Sequence, residues 1–129
     1  MLIHKALGLL LSLTMVGPSA AAGTLEGIWG GPGIRLRVEA GQGHIETECA
    51  TGTINGPMAL DANGQFQADG VFASHGGGPQ RADAGPLPAA RYLGRLSGGF
   101  LTLDVLPADG AALRFELRAG ANPKFVRCL

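Results

Sequence analysis

The sequence predicts an all-β fold: a small antiparallel up-and-down β-barrel of eight to nine strands, tied by one disulfide. Three observations lead there. Apolar and polar residues alternate in short runs, and Gly, Pro, Asn and Asp split those runs at hairpin spacing. No window keeps the 3.6-residue period of an amphipathic helix. The chain has only two cysteines, Cys49 and Cys128, behind a start that reads as an export leader.

That leader is residues 1–22. His4 and Lys5 give a basic start, and the apolar run Ala6 to Val16 is too short to span a bilayer. Gly17 and Pro18 break the run, and Ala20 and Ala22 form an A-x-A signal, so cleavage is expected before Gly23. No cysteine stands at that point to take a lipid, and no later stretch is apolar enough to act as a membrane anchor. The expected product is a soluble exported protein, periplasmic or extracellular, with 23–129 as a single domain.

Removing 22 residues from 129 leaves 107, and with them goes Lys5 but no acidic residue. Nine basic residues then face ten acidic ones, a net charge near minus one, which gives nucleic acid nothing to bind. A domain of this size buries a thin core and gains from a covalent clamp. In an oxidising compartment two cysteines most simply pair, and Cys49 to Cys128 would close a loop of 128 minus 49, or 79, residues. The chain-entropy account values such a loop at about 4–5 kcal/mol. A nucleophilic role for Cys49 is disfavoured, because Glu46 and Glu48 would raise its pKa.

After the opening TLEGIWGG (24–31), Ile34, Leu36 and Val38 alternate with Arg35, Arg37 and Glu39. The turn AGQG (40–43) leads into Ile45, Thr47 and Cys49, which alternate with His44, Glu46 and Glu48. A four-residue loop sets Glu39 against His44, Arg37 against Glu46 and Arg35 against Glu48. It also places Ile34 opposite Cys49, with the sulfur facing the core. GTINGPMAL follows, with Ile54, Met58 and Leu60 apolar and Pro57 marking an edge, a bulge or a break. DANG (61–64) turns the chain into QFQADGVF, where Phe66, Ala68, Gly70 and Phe72 share one face. Residues 74–89, SHGGGPQRADAGPLPA, form the one long loop.

Strands resume at RYLGRL (91–96), and Gly98-Gly99 suits a two-residue hairpin. Leu101, Leu103 and Val105 face in, as do Leu113, Phe115 and Leu117 beyond PADG. A five-residue connection sets Asp104 opposite Arg114. KFVRCL closes the chain with Phe125 and Cys128. A meander of this length with one apolar face must close or fold over itself to hide that face; a small up-and-down barrel is the expected closure and a two-sheet sandwich the alternative.

Gly27-Ile28-Trp29 is a G-x-W at the head of the first strand, and it resembles the opening of lipocalin-like and avidin-like (calycin) barrels. In those barrels the tryptophan plugs the closed end beside a basic residue from the last strands. The resemblance implies a structural plug of Gly27 and Trp29, with Arg118 or Arg127 over the indole. A wider resemblance covers nearly the whole mature chain. WGG (29–31), ECATGTINGPMALDANGQF (48–66), HGGGPQR (75–81), RYLGRL (91–96) and the terminal RCL resemble a group of small secreted bacterial proteins that carry no assigned activity. That likeness implies the same fold and disulfide, and no chemistry.

Candidate chemistry is sparse. His44, Glu46 and Glu48 share a face, yet Arg35 and Arg37 compete for their carboxylates, so no metal site is expected. Ser74 and Ser97 with His44 and His75 give no spacing that converges on a catalytic triad, and no enzyme or cofactor is expected. The best binding candidate is the long loop. There His75, Gly76, Gly77, Gly78 and Arg81 could cradle an anion or carboxylate on bare backbone N–H groups. The expected function is a non-enzymatic binding module for a small apolar or amphipathic ligand, held at the open end near residues 74–89. The alternative is a periplasmic inhibitor of a protease or lysozyme, with an exported protein as partner.

Overall fold

The structure, a computed structural model, describes residues 8, 23–75, 85 and 87–128. The leader and, within the loop, Gly76, Gly77, Gly78 and Arg81 lie outside the described residues. Eight strands form: β1 (Gly27–Gly31), β2 (Ile34–Glu39), β3 (Gln42–Thr47), β4 (Ala50–Ile54), β5 (Gln65–Ser74), β6 (Ala89–Ser97), β7 (Phe100–Pro107) and β8 (Leu113–Ala119). Each pairs antiparallel with the next, and β8 returns to β1 through Trp29 with Ala119 and Gly30 with Arg118, so the barrel is closed. Among the described residues there is no helix.

Alternation decides the faces. Ile34, Leu36, Val38, Ile45, Ile54, Leu101, Leu103, Val105 and Leu117 are all buried within one core cluster. Their neighbours in sequence point outward, as period two requires. The Gly98-Gly99 hairpin forms with both glycines at positive φ, 59° and 82°, and Asp104 pairs with Arg114 in register.

The β2–β3 register differs from the one the sequence suggests. Ala40 and Gly41, at φ 50° and 78°, make a two-residue turn, so Glu39 pairs with Gln42, Arg37 with His44 and Arg35 with Glu46. Ile34 pairs with Thr47 rather than Cys49. A shift of two residues keeps every side chain on its face but changes its partner. Strand β3 ends before Cys49, which occupies the exposed Glu48-Cys49 turn, so this cysteine stands outside the core. The disulfide joins it to Cys128 with the Cα atoms 4.9 Å apart.

Nor does the chain add a ninth strand after Ala119 among the described residues. Residues 121–128 run instead as an irregular strap across the outer face of β1, β2 and β3. Asn122 Oδ1 accepts from Arg35 Nη1 at 3.0 Å, Phe125 lies 5.4 Å from the Arg35 guanidinium, and Arg127 Nη2 donates to Glu46 Oε2 at 2.7 Å. The Cys128 N–H donates to the Glu48 carbonyl at 2.6 Å. Gly30 lies beneath the strap because a Cβ there would collide with Ala121 and Pro123.

One end of the barrel is capped by the chain itself. The Leu25 N–H donates to the Met58 carbonyl at 3.0 Å and the Leu60 N–H to the Gly23 carbonyl at 2.8 Å, laying residues 23–26 along 58–60. Leu25, Met58, Leu60 and Trp29 are buried there. The other end, the mouth, gathers the turns at 32–33 and 48–49, the two ends of the β5–β6 connection and the β7–β8 turn.

Candidate functional site

Tyr92, Phe66 and the buried aliphatic side chains of the core cluster occupy the barrel interior. Tyr92 is fully buried in the barrel, and its hydroxyl donates to the Val71 carbonyl at 2.6 Å. Space for the ring comes from glycines. A Cβ at Gly52 would press on the Tyr92 hydroxyl, and one at Gly70 would meet both the Thr53 carbonyl and the ring. Phe66 packs in the same way on Gly94. Burial pushes the Tyr92 phenol well above its ordinary pKa, because the charged form would lose its water.

At the mouth the surface opens into a groove of about 410 Å³. Phe72, Ala73, Pro88, Pro107, Ala111 and Leu113 give it an apolar lining, with Ser74 and Asp109 as polar members. Leu113 shows how the groove arises. It occupies an inward-facing register position opposite Val105, yet it is 38 % exposed where Val105 is 0 %. Strand β1 is five residues long and pairs with β8 at Ala119 and Arg118, so Leu113, at the start of β8, has no partner on β1.

His75 enters the long loop from β5. Its N–H donates to the Cys49 carbonyl at 2.6 Å, and its Nε2 shares a hydrogen bond of 2.9 Å with Thr51 Oγ1. The imidazole therefore seats the start of the loop against β4, beside the disulfide. Sequence spacing did not indicate Thr51, because its approach to His75 depends on the pairing of β4 with β5.

A second groove, about 240 Å³, runs beside the strap between His44, Thr51, Thr53, Val71, Leu87 and Arg127. Glu46, at its edge, is held below its ordinary pKa first by the hydrogen bond from Arg127; burial opposes this, and the hydrogen bond and charge of Arg35 add to the lowering. Both hydrogen-bonding partners of its carboxylate are therefore cations. A third, polar groove of about 620 Å³ crosses the outer face of β5–β8, where Arg114 grips Asp104 through two hydrogen bonds of 2.7 and 3.1 Å.

Gly27 is exposed at φ 88°, and Trp29 is 7 % exposed in the core, its indole N–H donating to the Glu26 carbonyl at 2.9 Å. The cation expected over the indole is engaged elsewhere. Arg118 lies 5.1 Å from the Phe100 ring, and Arg127 is paired with Glu46. Ser74 and His75 remain neighbours at the end of β5, with Ser74 exposed.

A closed eight-stranded antiparallel barrel is consistent with a calycin-like fold. The chain matches no family model, no curated protein and no solved structure.

Proposed function

We propose that this is an exported, non-enzymatic binding protein that takes a small apolar or amphipathic ligand at the barrel mouth. The observation that carries the reading is the apolar groove lined by Phe72, Pro88, Pro107 and Leu113, beside both ends of the long loop. Its volume falls in the range of small-molecule sites, and its lining joins apolar walls to a few polar groups, as such sites do. Export rests on the leader-like residues 1–22, on the disulfide and on the resemblance to small secreted bacterial proteins.

The test is a titration with dodecanol followed by native mass spectrometry. A one-to-one adduct is expected, and Leu113→Glu, a change at an already exposed position, should weaken it at least tenfold. No adduct at saturating dodecanol, or an adduct indifferent to Leu113, would refute the reading.

The inhibitor reading has one observation of its own. Leu87 is 60 % exposed and Val126 84 %, and Leu87 shares a groove with Arg127, the next residue after Val126. Exposed apolar side chains beside a long loop suit a protein partner. On that reading, Leu87→Glu and Val126→Glu abolish a stoichiometric complex with the target protease or lysozyme and leave dodecanol binding unchanged.

A further inference from the structure

The strap is held differently from the strands of the barrel. Every strand pair, including the closure of β8 on β1, lies within residues 27–119. Residues 121–128 take no part in the sheet. Their ties are two backbone hydrogen bonds, Ala121 N–H to the Arg118 carbonyl and Cys128 N–H to the Glu48 carbonyl, the side-chain contacts to Arg35 and Glu46, and the disulfide. Arg127 is 66 % exposed in its ion pair, and such pairs hold weakly in water. Ordering eight residues against that handful of contacts is unfavourable without a covalent link. Both cysteines are exposed, Cys49 in a two-residue turn and Cys128 near the chain end.

We propose that the Cys49–Cys128 disulfide is a redox latch: a dithiol reductant opens it on the folded protein, and the strap leaves the outer face of β1–β3 while the barrel stays closed. A thiolate of the dithiol attacks one cysteine sulfur, the S–S bond breaks, and the departing cysteine thiolate takes up a proton. The second thiol of the reductant then displaces the other cysteine from the mixed disulfide. Two electrons pass from the dithiol, which becomes a disulfide, and Cys49 and Cys128 become thiols. Release uncovers Gly30, Arg35 and Glu46. It also removes the Arg127 wall of the groove that holds His44, Thr51, Thr53 and Leu87, joining that groove to the newly bared row. The reduced protein thus bares a face that the oxidised protein covers with its own C-terminal segment.

The experiment is hydrogen exchange read by mass spectrometry on the whole exported protein, with and without dithiothreitol and without denaturant. The expected result is a two-hydrogen gain in intact mass and at least tenfold faster exchange in peptides covering 121–128. Peptides from β2 and β6 should be unchanged. Cys128→Ser should show the same fast strap without reductant. A disulfide that resists dithiothreitol until the protein is denatured would overturn the proposal. So would a reduced strap that keeps its protection, or strands that lose protection together with it.

Discussion

Tyr92, Gly52 and Gly70 act as one packing unit, and each makes a separate demand on the others. Gly70→Ala drives a methyl into the Thr53 carbonyl, which is backbone and cannot turn aside. The expected loss is about 1–3 kcal/mol, read as a lower urea midpoint with unchanged slope. Tyr92→Phe keeps the ring but leaves the Val71 carbonyl without its donor, an expected loss of about 1–3 kcal/mol by the same assay. The phenol's raised pKa gives a signed pH effect. An unfolded tyrosine loses its proton near pH 10, whereas the folded one holds it longer. Its contribution is therefore present below about pH 10 and fades as pH rises beyond that, and Tyr92→Phe should flatten the alkaline limb of the stability profile. Glu46 works in the opposite sense. Arg127 and Arg35 depress its pKa, so its contribution is present above the ordinary carboxylate range and is lost as pH falls through the lowered value. Glu46→Gln should flatten the acid limb, measured by urea midpoints between neutral and acid pH.

Among the elements, the β2–β3 hairpin shows both what the sequence reveals and what it withholds. Alternation from Ile34 to Glu39 and from His44 to Thr47 was enough to assign strands and faces, because burial on one side imposes period two. The register was not legible. Alanine is a poor advertisement for a left-handed turn, and Ala40 adopts one at φ 50° because Gly41 and the pairing on both sides require it. Ala40→Asn, whose side chain tolerates that conformation, should stabilise the protein by about 1 kcal/mol in thermal or urea unfolding. The Asp104–Arg114 pairing was legible because its five-residue turn carries Pro, Asp and Gly, which mark turns openly. The strap was not, since 121–128 has no period and its partners Arg35 and Glu46 lie more than 80 positions away in sequence.

For the whole molecule, the antiparallel all-β meander and the disulfide were readable in the sequence, but alternation alone allows a barrel or a two-sheet sandwich, and the pairing of β8 with β1 decides for the closed barrel. The candidate site was readable only as a region. Residues 74–89 stood out by length and glycine content, yet the groove beside them is built from Phe72, Pro107 and Leu113, which meet only when β1 proves too short to cover β8. Filling of the interior by Tyr92 and Phe66 against glycines was likewise invisible, because each glycine alone reads as a bend. The filled interior and the open groove both favour the proposed ligand position at the mouth over one inside the barrel. The most direct test is methyl chemical-shift mapping of the intact protein during a dodecanol titration. Saturable shifts at Leu113, Ala111 and Ala73, with Leu36, Val38 and Ile54 unmoved, are the predicted result. Largest shifts at Leu36, Val38 and Ile54, or none at the mouth, would contradict the account.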